Sequence, residues 1–269
     1  MSRAEAPLLA GMRAGIPQLM LGIRASRTTE IVRIAKSTGH QCIMIDLEHS
    51  AMPIDTAAQL CATANDLGLT SLVRIPEKEY GVIGRLLDGG AHGIVAPRVE
   101  TAEEAGIIAA ACRFPPEGHR SQLAMVPHFG MTPTPAATMN PEVNRHTIVK
   151  ILIESPLGVA NAREIAAVPG VDILAFGAND FTSELGVPGE YRDPRVAEAV
   201  AELAAAARES GKLAMAGGIP DPGLFAELYA LGLSPLLLTG MDTDLLFEGA
   251  RTRAERMRAW HEPLASGEG

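Results

Sequence analysis

The chain has 269 residues, 47% of them hydrophobic and 20% charged, enough apolar material for one large domain or two small ones. Its formal net charge of −9 comes with no compensating basic stretch, which argues against nucleic acid and anionic membrane as partners and leaves anionic substrates to locally placed arginines. Three cysteines (Cys42, Cys61, Cys112) without a CxxC spacing fit a reducing cytoplasm better than a disulfide framework or a zinc site.

No apolar run approaches the ~20 residues of a bilayer span, and residues 1–7 hold no signal-like apolar core. The first strand candidate, 18–23, runs into Gly22-Ile23-Arg24-Ala25-Ser26, which lacks the glycine fingerprint of a doubly wound dinucleotide fold. The second, 41–46, is an apolar run that ends in Asp46-Leu47-Glu48-His49. Buried charge is costly unless paired, so this ending points to an active site rather than to packing. The third, 70–75, ends in Arg74, and the fourth, 93–97, is followed by Arg98 and Glu100. An irregular stretch, 113–147, holds six prolines and reads as an ordered lid or subunit contact, with disorder as its alternative. The fifth strand candidate, 149–154, ends in Glu154; the sixth, 172–176, is followed by Gly177-Ala178-Asn179-Asp180 and a helical stretch at 181–185. The seventh and eighth are 213–216 and 235–239; after the eighth, Asp242 reads as a helix cap.

Between the strands, helical periodicity is found at 28–38, 55–66, 80–87, 102–112, 157–168, 194–210, 222–231 and 244–260, and the tail 265–269 reads as frayed. Continuous apolar strands imply a parallel sheet covered on both faces. Eight βα units in ~250 residues predict one α/β domain over 1–269, a TIM (β/α)8 barrel with an irregular insertion around 113–149.

Catalytic groups of such barrels sit at the C-terminal ends of strands. Glu154 and Asp180 are one βα unit apart, and neighbouring carboxylates repel unless a proton or cation lies between them. An oxygen-ligated divalent ion suits that pair; the alternative is an arginine partner for Glu154 and a helix-capping role for Asp180. His49 is a candidate general base oriented by Asp46 or Glu48, set against a histidine hydrogen-bonded for structure. Arg74 is a candidate for stabilising an enolate, set against an ion pair with Glu48 or Glu154. The backbone N–H groups of the Gly177–Ala178–Asn179 turn can receive a carboxylate. Of the four lysines, Lys36, Lys78, Lys150 and Lys212, Lys78 is the least poorly placed for a Schiff base. Lys150 lies four residues below Glu154, ~13 Å deeper, and Lys212 is at a strand start.

Together these residues resemble the HpcH/HpaI family of metal-dependent class II pyruvate aldolases. The resemblance rests on Ile45-Asp46-Leu47-Glu48-His49-Ser50, Val73-Arg74-Ile75-Pro76, Leu86-Leu87-Asp88-Gly89-Gly90-Ala91, the segments 95–105 and 114–121, Ile153-Glu154-Ser155 and Phe176-Gly177-Ala178-Asn179-Asp180-Phe181-Thr182. It implies reversible aldol cleavage of a 4-hydroxy-2-oxo acid to pyruvate and an aldehyde through a pyruvate enolate. Glu154 and Asp180 would hold Mg²⁺, Mn²⁺ or Co²⁺, and His49 with Asp46 would move the proton. Arg74 would polarise the keto group, while Glu48 would hold a water or pair with Arg74. The amides of Gly177 and Asn179 would bind the pyruvate carboxylate. Asp88 would reach a neighbouring subunit's site in a homo-oligomer, a trimer or hexamer, that exchanges its C-terminal helix. Leu152, where relatives often carry glutamine, and Gln122, where they often carry glycine, depart from the pattern and bear on the acceptor. Two alternatives accompany this reading: enolate chemistry on oxaloacetate or an acyl-CoA substrate, and a non-catalytic barrel that binds a 2-oxo acid.

Overall fold

The apolar runs become eight strands: β1 Gln18–Ile23, β2 Cys42–Asp46, β3 Thr70–Arg74, β4 Gly93–Ala96, β5 Ile148–Ile153, β6 Ile173–Gly177, β7 Leu213–Gly217 and β8 Leu236–Met241. In the computed structural model, which describes residues 5–266, they form one sheet in the order β7-β6-β5-β4-β3-β2-β1-β8, and every ladder is parallel. Between β7 and β8 the Ser234 N–H donates to the Ala214 carbonyl at 2.7 Å. The sheet thus curls into the nearly closed TIM-type α/β barrel that the alternation of elements predicts.

The strands are apolar on both faces because each face packs into a separate core. Met20, Met44, Leu72, Val95, Ala175 and Met215 fill the barrel interior. Ile43, Ile45, Val73, Ile151, Leu174 and Phe176 face the surrounding helices. The helices are α1 Pro7–Arg13, α2 Glu30–Ser37, α3 Ile54–Asp66, α4 Ile83–Asp88, α5 Ala102–Cys112, α6 Ala136–His146, α7 Pro156–Ala160, α8 Ala162–Ala167, α9 Ala178–Glu184, α10 Pro194–Glu209, α11 Pro222–Tyr229 and α12 Asp242–Ser266. Helix α5 opens with a capping box in which Thr101 and Glu104 exchange hydrogen bonds with each other's backbone N–H.

One helix was not anticipated, and three expectations are corrected: a single helix at 157–168, a lid role for the ordered stretch 113–147, and a tail that frays at 265. Helix α1, not anticipated, plugs the bottom of the barrel, where Leu8, Leu9 and Met12 join the interior core. The single helix expected at 157–168 is two, broken at Asn161, whose side chain donates to the Glu100 carbonyl at 2.8 Å. The stretch 113–147 is ordered: Phe114, Val126, Met139 and Val143 form a small core of their own. It contains α6, which begins after Pro135 and tolerates Pro141 within it. This stretch joins the end of α5 to the start of β5, so it lies at the N-terminal end of the strands and cannot be a lid over this chain's own mouth. Finally, α12 continues through Ser266 instead of fraying at 265. Residues 267–269 of the expected frayed tail, and 1–4 of the leader reading, lie outside the described residues.

Candidate active site

Strand register builds the first half of the site. β2 and β3 pair so that Asp46 stands opposite Arg74. The Asp46 carboxylate is fully buried and collects five donors. Arg74 Nε reaches Oδ1 at 3.0 Å and Arg74 NH2 reaches Oδ2 at 2.7 Å. The backbone N–H groups of Glu48 and His49 reach Oδ1 at 3.1 and 3.2 Å, and Arg24 Nε reaches Oδ2 at 3.2 Å. Burial pushes the Asp46 carboxyl up, but Arg74, the His49 N–H and Arg24 outweigh it and hold it below the usual carboxylate range. Burial also pulls against the Arg74 charge; Asp46, Glu48 and Glu154 more than restore it.

Arg74 NH1 lies 3.2 Å from Glu48 Oε2, the oxygen that stands 3.5 Å from His49 Nε2. The imidazole is half exposed at the mouth. Asp46 meets His49 only through the backbone, so the expectation that Asp46 orients the ring is corrected: Glu48 stands there. Glu48 is pushed up by burial, opposed by Arg74 and His49 and reinforced by the nearby Asp46 and Asp180.

The second half comes from β5 and β6. Ile153 pairs with Phe176, which sets Glu154 beside Gly177. A Cβ at residue 177 would fall 2.5 Å from Glu154 Oε2, so glycine there is what gives this carboxylate its space. Glu154 is buried, and its hydrogen bond is from the Arg98 N–H to Oε1 at 2.9 Å. Burial pushes its carboxyl up to about 8; the Arg98 N–H and Arg74 oppose this, and the charges of Asp180 and Glu48 add to it. Asp180 lies in the first turn of α9, half exposed, with Arg98 NH1 at 3.7 Å. Gly177 is the N-cap of that helix, so the N–H groups of its first turn open at the same mouth.

His49, Glu48, Asp46, Arg74, Glu154, Asp180 and the Gly177–Ala178–Asn179 turn therefore gather at one end of the barrel. Asp88 does not join them. It ends α4 at the opposite end, where Arg120 NH2 holds it at 2.6 Å. A cavity of about 410 Å³ opens at that end too, lined in part by His92, His128 and His146. The lysines stay away from the mouth chemistry. Lys150 is buried on the inner face, where burial pulls its ammonium down to about 8, and Lys78 is exposed beside Glu77 and Glu104. Leu152 packs against the interior core, and the Gln122 amide pairs reciprocally with Asn140 at 3.1 and 3.0 Å, within the distal insertion.

Three residues have roles that the sequence did not disclose. Arg24 follows β1, in a segment that shows neither a glycine fingerprint nor a carboxylate. Asp242 takes the N–H of Thr243, as a cap does, but its carboxylate also accepts from Arg24, Ala25 and Ser26 at 2.7–3.1 Å. It therefore anchors the loop after β1. Arg98 adopts a left-handed backbone (φ 49°), a conformation rare without glycine, which aims its N–H at Glu154.

The sequence profile of a family described as HpcH/HpaI aldolase/citrate lyase matches residues 19–222. The chain is 34% identical over 233 residues to the 4-hydroxy-4-methyl-2-oxoglutarate aldolase tasA of Hapsidospora irregularis, covering 86% of each chain. It is 35% identical over 232 residues to the 4-hydroxy-4-methyl-2-oxoglutarate aldolase cghB of Chaetomium globosum, covering 84% of this chain and 85% of that one. Among solved structures, an HpcH/HpaI aldolase from Desulfitobacterium hafniense DCB-2 superposes with a TM-score of 0.86 at 26% identity, covering 95% of this chain and 97% of that one.

Proposed function

The chain belongs to the HpcH/HpaI aldolase/citrate lyase family and is an aldolase, a carbon–carbon lyase; from that premise we propose that it cleaves a 4-hydroxy-2-oxo acid reversibly to pyruvate and an aldehyde-type carbonyl compound. The observation that carries this reading is the buried Glu154 carboxylate, short of counter-charge, with Asp180 and the partly buried Arg74 near it. Such an arrangement invites a cation and a developing negative charge.

The donor set fits Mg²⁺, Mn²⁺ or Co²⁺. Two carboxylates with further positions left to water and substrate is the ordinary arrangement for such ions. Among the described residues no three His, Cys, Asp or Glu side chains converge on one point, so water and substrate would have to supply the remaining positions. Glu154 and Asp180 would hold the ion, which would supply Lewis-acid polarisation of the 2-oxo group.

The chain's own residues do the rest. Arg74, held flat by Asp46, keeps N–H groups free for the oxygen on which enolate charge develops. The N–H groups at the start of α9, from Gly177 to Asn179, receive the pyruvate carboxylate. His49, oriented by Glu48, accepts the proton of the C4 hydroxyl in the cleavage direction. The C3–C4 bond breaks, a carbonyl forms at C4, and the electron pair stays on the pyruvate fragment as its enolate. A proton then added at C3 releases pyruvate. Asp88, remote from this chain's mouth, serves a neighbouring subunit in a homo-oligomer, a trimer or hexamer. Three buried free cysteines support a cytoplasmic setting.

Loss of the pyruvate methyl NMR signal in D₂O tests enolate formation without knowledge of the acceptor. The exchange and pyruvate release should stop with EDTA and return with Mn²⁺, Mg²⁺ or Co²⁺. Full activity after chelation, or pyruvate trapped on a lysine by borohydride, would overturn the metal reading. Oxaloacetate assayed in parallel separates aldol cleavage from decarboxylation.

A further inference from the structure

The loop after β1 has no role in the chemistry above, yet it is unusually fixed. Asp242 takes the backbone N–H groups of Arg24, Ala25 and Ser26 from below. The Arg27 guanidinium donates to the carbonyls of Arg24 and Ala25 at 2.7 and 2.8 Å from within. A loop held from both sides presents its side chains in a defined geometry, and the one it presents at the mouth is Arg24.

The Arg24 guanidinium is only partly engaged. Nε reaches Asp46 Oδ2 at 3.2 Å, on a carboxylate that Arg74 already holds through two bonds and that two backbone N–H groups also share. Among the described residues, NH1 and NH2 of Arg24 have no recorded acceptor, and the side chain is 35% exposed. The other guanidiniums near the mouth are committed, the N–H groups that Arg74 has left being those proposed for the enolate oxygen. Arg27 is bonded to loop carbonyls, Arg98 is ringed by Glu77, Asp180 and Glu184, and Arg74 bridges Asp46 and Glu48. One carboxylate oxygen, Asp46 Oδ2, separates Arg24 from the arginine that faces the enolate.

We propose that Arg24 is the specificity-determining residue of the acceptor subsite, and that it binds a carboxylate carried by the acceptor carbonyl compound. The cleaved substrate is then a 4-hydroxy-2-oxo diacid, with one carboxylate on the α9 turn and the other on the free edge of Arg24. A planar guanidinium with two unpaired nitrogens matches a carboxylate in a way a neutral aldehyde cannot reproduce. This inference rests on the pyruvate aldolase reading of the same site.

The experiment compares aldol addition of pyruvate to glyoxylate and to glycolaldehyde, acceptors of equal length with and without a carboxylate. The wild type should favour glyoxylate in kcat/KM. In Arg24→Gln that preference should shrink roughly 10- to 100-fold, the range of a charge-assisted hydrogen bond. Arg24→Lys, which keeps the charge but loses the flat face, should fall between the two and serves if the glutamine variant does not fold. A wild type indifferent to the carboxylate, or variants in which both acceptors fall equally, would overturn the proposal and leave Arg24 a structural partner of Asp46. Absence of methyl-proton exchange in the wild type would instead remove the aldolase reading, and the proposal with it.

Discussion

At the scale of single residues, the site is a problem of buried charge. Asp46 is fully buried and stable as an anion only because five donors converge on it. Arg74→Met removes the two bonds of the bidentate pair and leaves that carboxylate underpaired. It should destabilise the fold by about 3–5 kcal/mol, read as a lowered urea midpoint, and abolish pyruvate methyl exchange. His92, away from the site, poses the converse problem. Its Nδ1 accepts the Ser71 N–H at 3.1 Å, so it is held neutral; burial, then His128 and His146, push its pKa from 6.5 down to about 3. Its folded pKa lies below its unfolded one, so the unfolded chain takes the proton more readily. The stability this histidine contributes is complete above pH 6.5 and is lost as pH falls toward 3. His92→Asn, which keeps an acceptor for Ser71, should show a smaller fall in urea midpoint between pH 7 and pH 4 than the wild type.

At the scale of elements, the strands were legible because each needs two apolar faces, and that demand is written locally. Helices were less so. Pro135 and Pro141 lie in the stretch that reads as irregular, yet one precedes α6 and the other costs it a single backbone bond; Met139 and Val143 supply the burial that offsets this. The loop after β1 depends on a residue at the far end of the chain. Asp242→Asn exchanges an acceptor of four backbone N–H groups for an amide that is half donor. It should cost about 1–3 kcal/mol, seen as a lower urea midpoint, and faster amide exchange should be confined to the loop at 24–26.

At the scale of the whole molecule, the barrel has two ends with different tasks. The mouth gathers His49, Arg74, Glu154 and Asp180, while the distal end carries Asp88, Arg120 and the insertion with its own small core. That division supports the reading in which the distal end of one copy meets the mouth of another. Helix α12 supports association too: Leu246 is 71% exposed, Phe247 64% and Trp260 62%, large apolar side chains left open along one helix. If the proposed homo-oligomer forms through α12, Phe247→Asp should shift the sedimenting species toward smaller assemblies. A wild type that sediments as a monomer would count against the oligomer.

The sequence by itself determined the barrel and most of the charged residues that gather at its mouth. Burial on both faces forces continuous apolar runs, and charged residues at the ends of such runs have no packing purpose. His49, Arg74, Glu154 and Asp180 could therefore be found without coordinates. Only the tertiary structure decided how these groups pair. Strand register, not sequence distance, gives Asp46 to Arg74 rather than to the His49 ring. Barrel closure brings Asp242 to the backbone of Arg24 across 218 residues. The same closure turns an arginine unremarked in the sequence into a fixed guanidinium at the mouth, and puts the proline-rich stretch at the end where it cannot cover its own site.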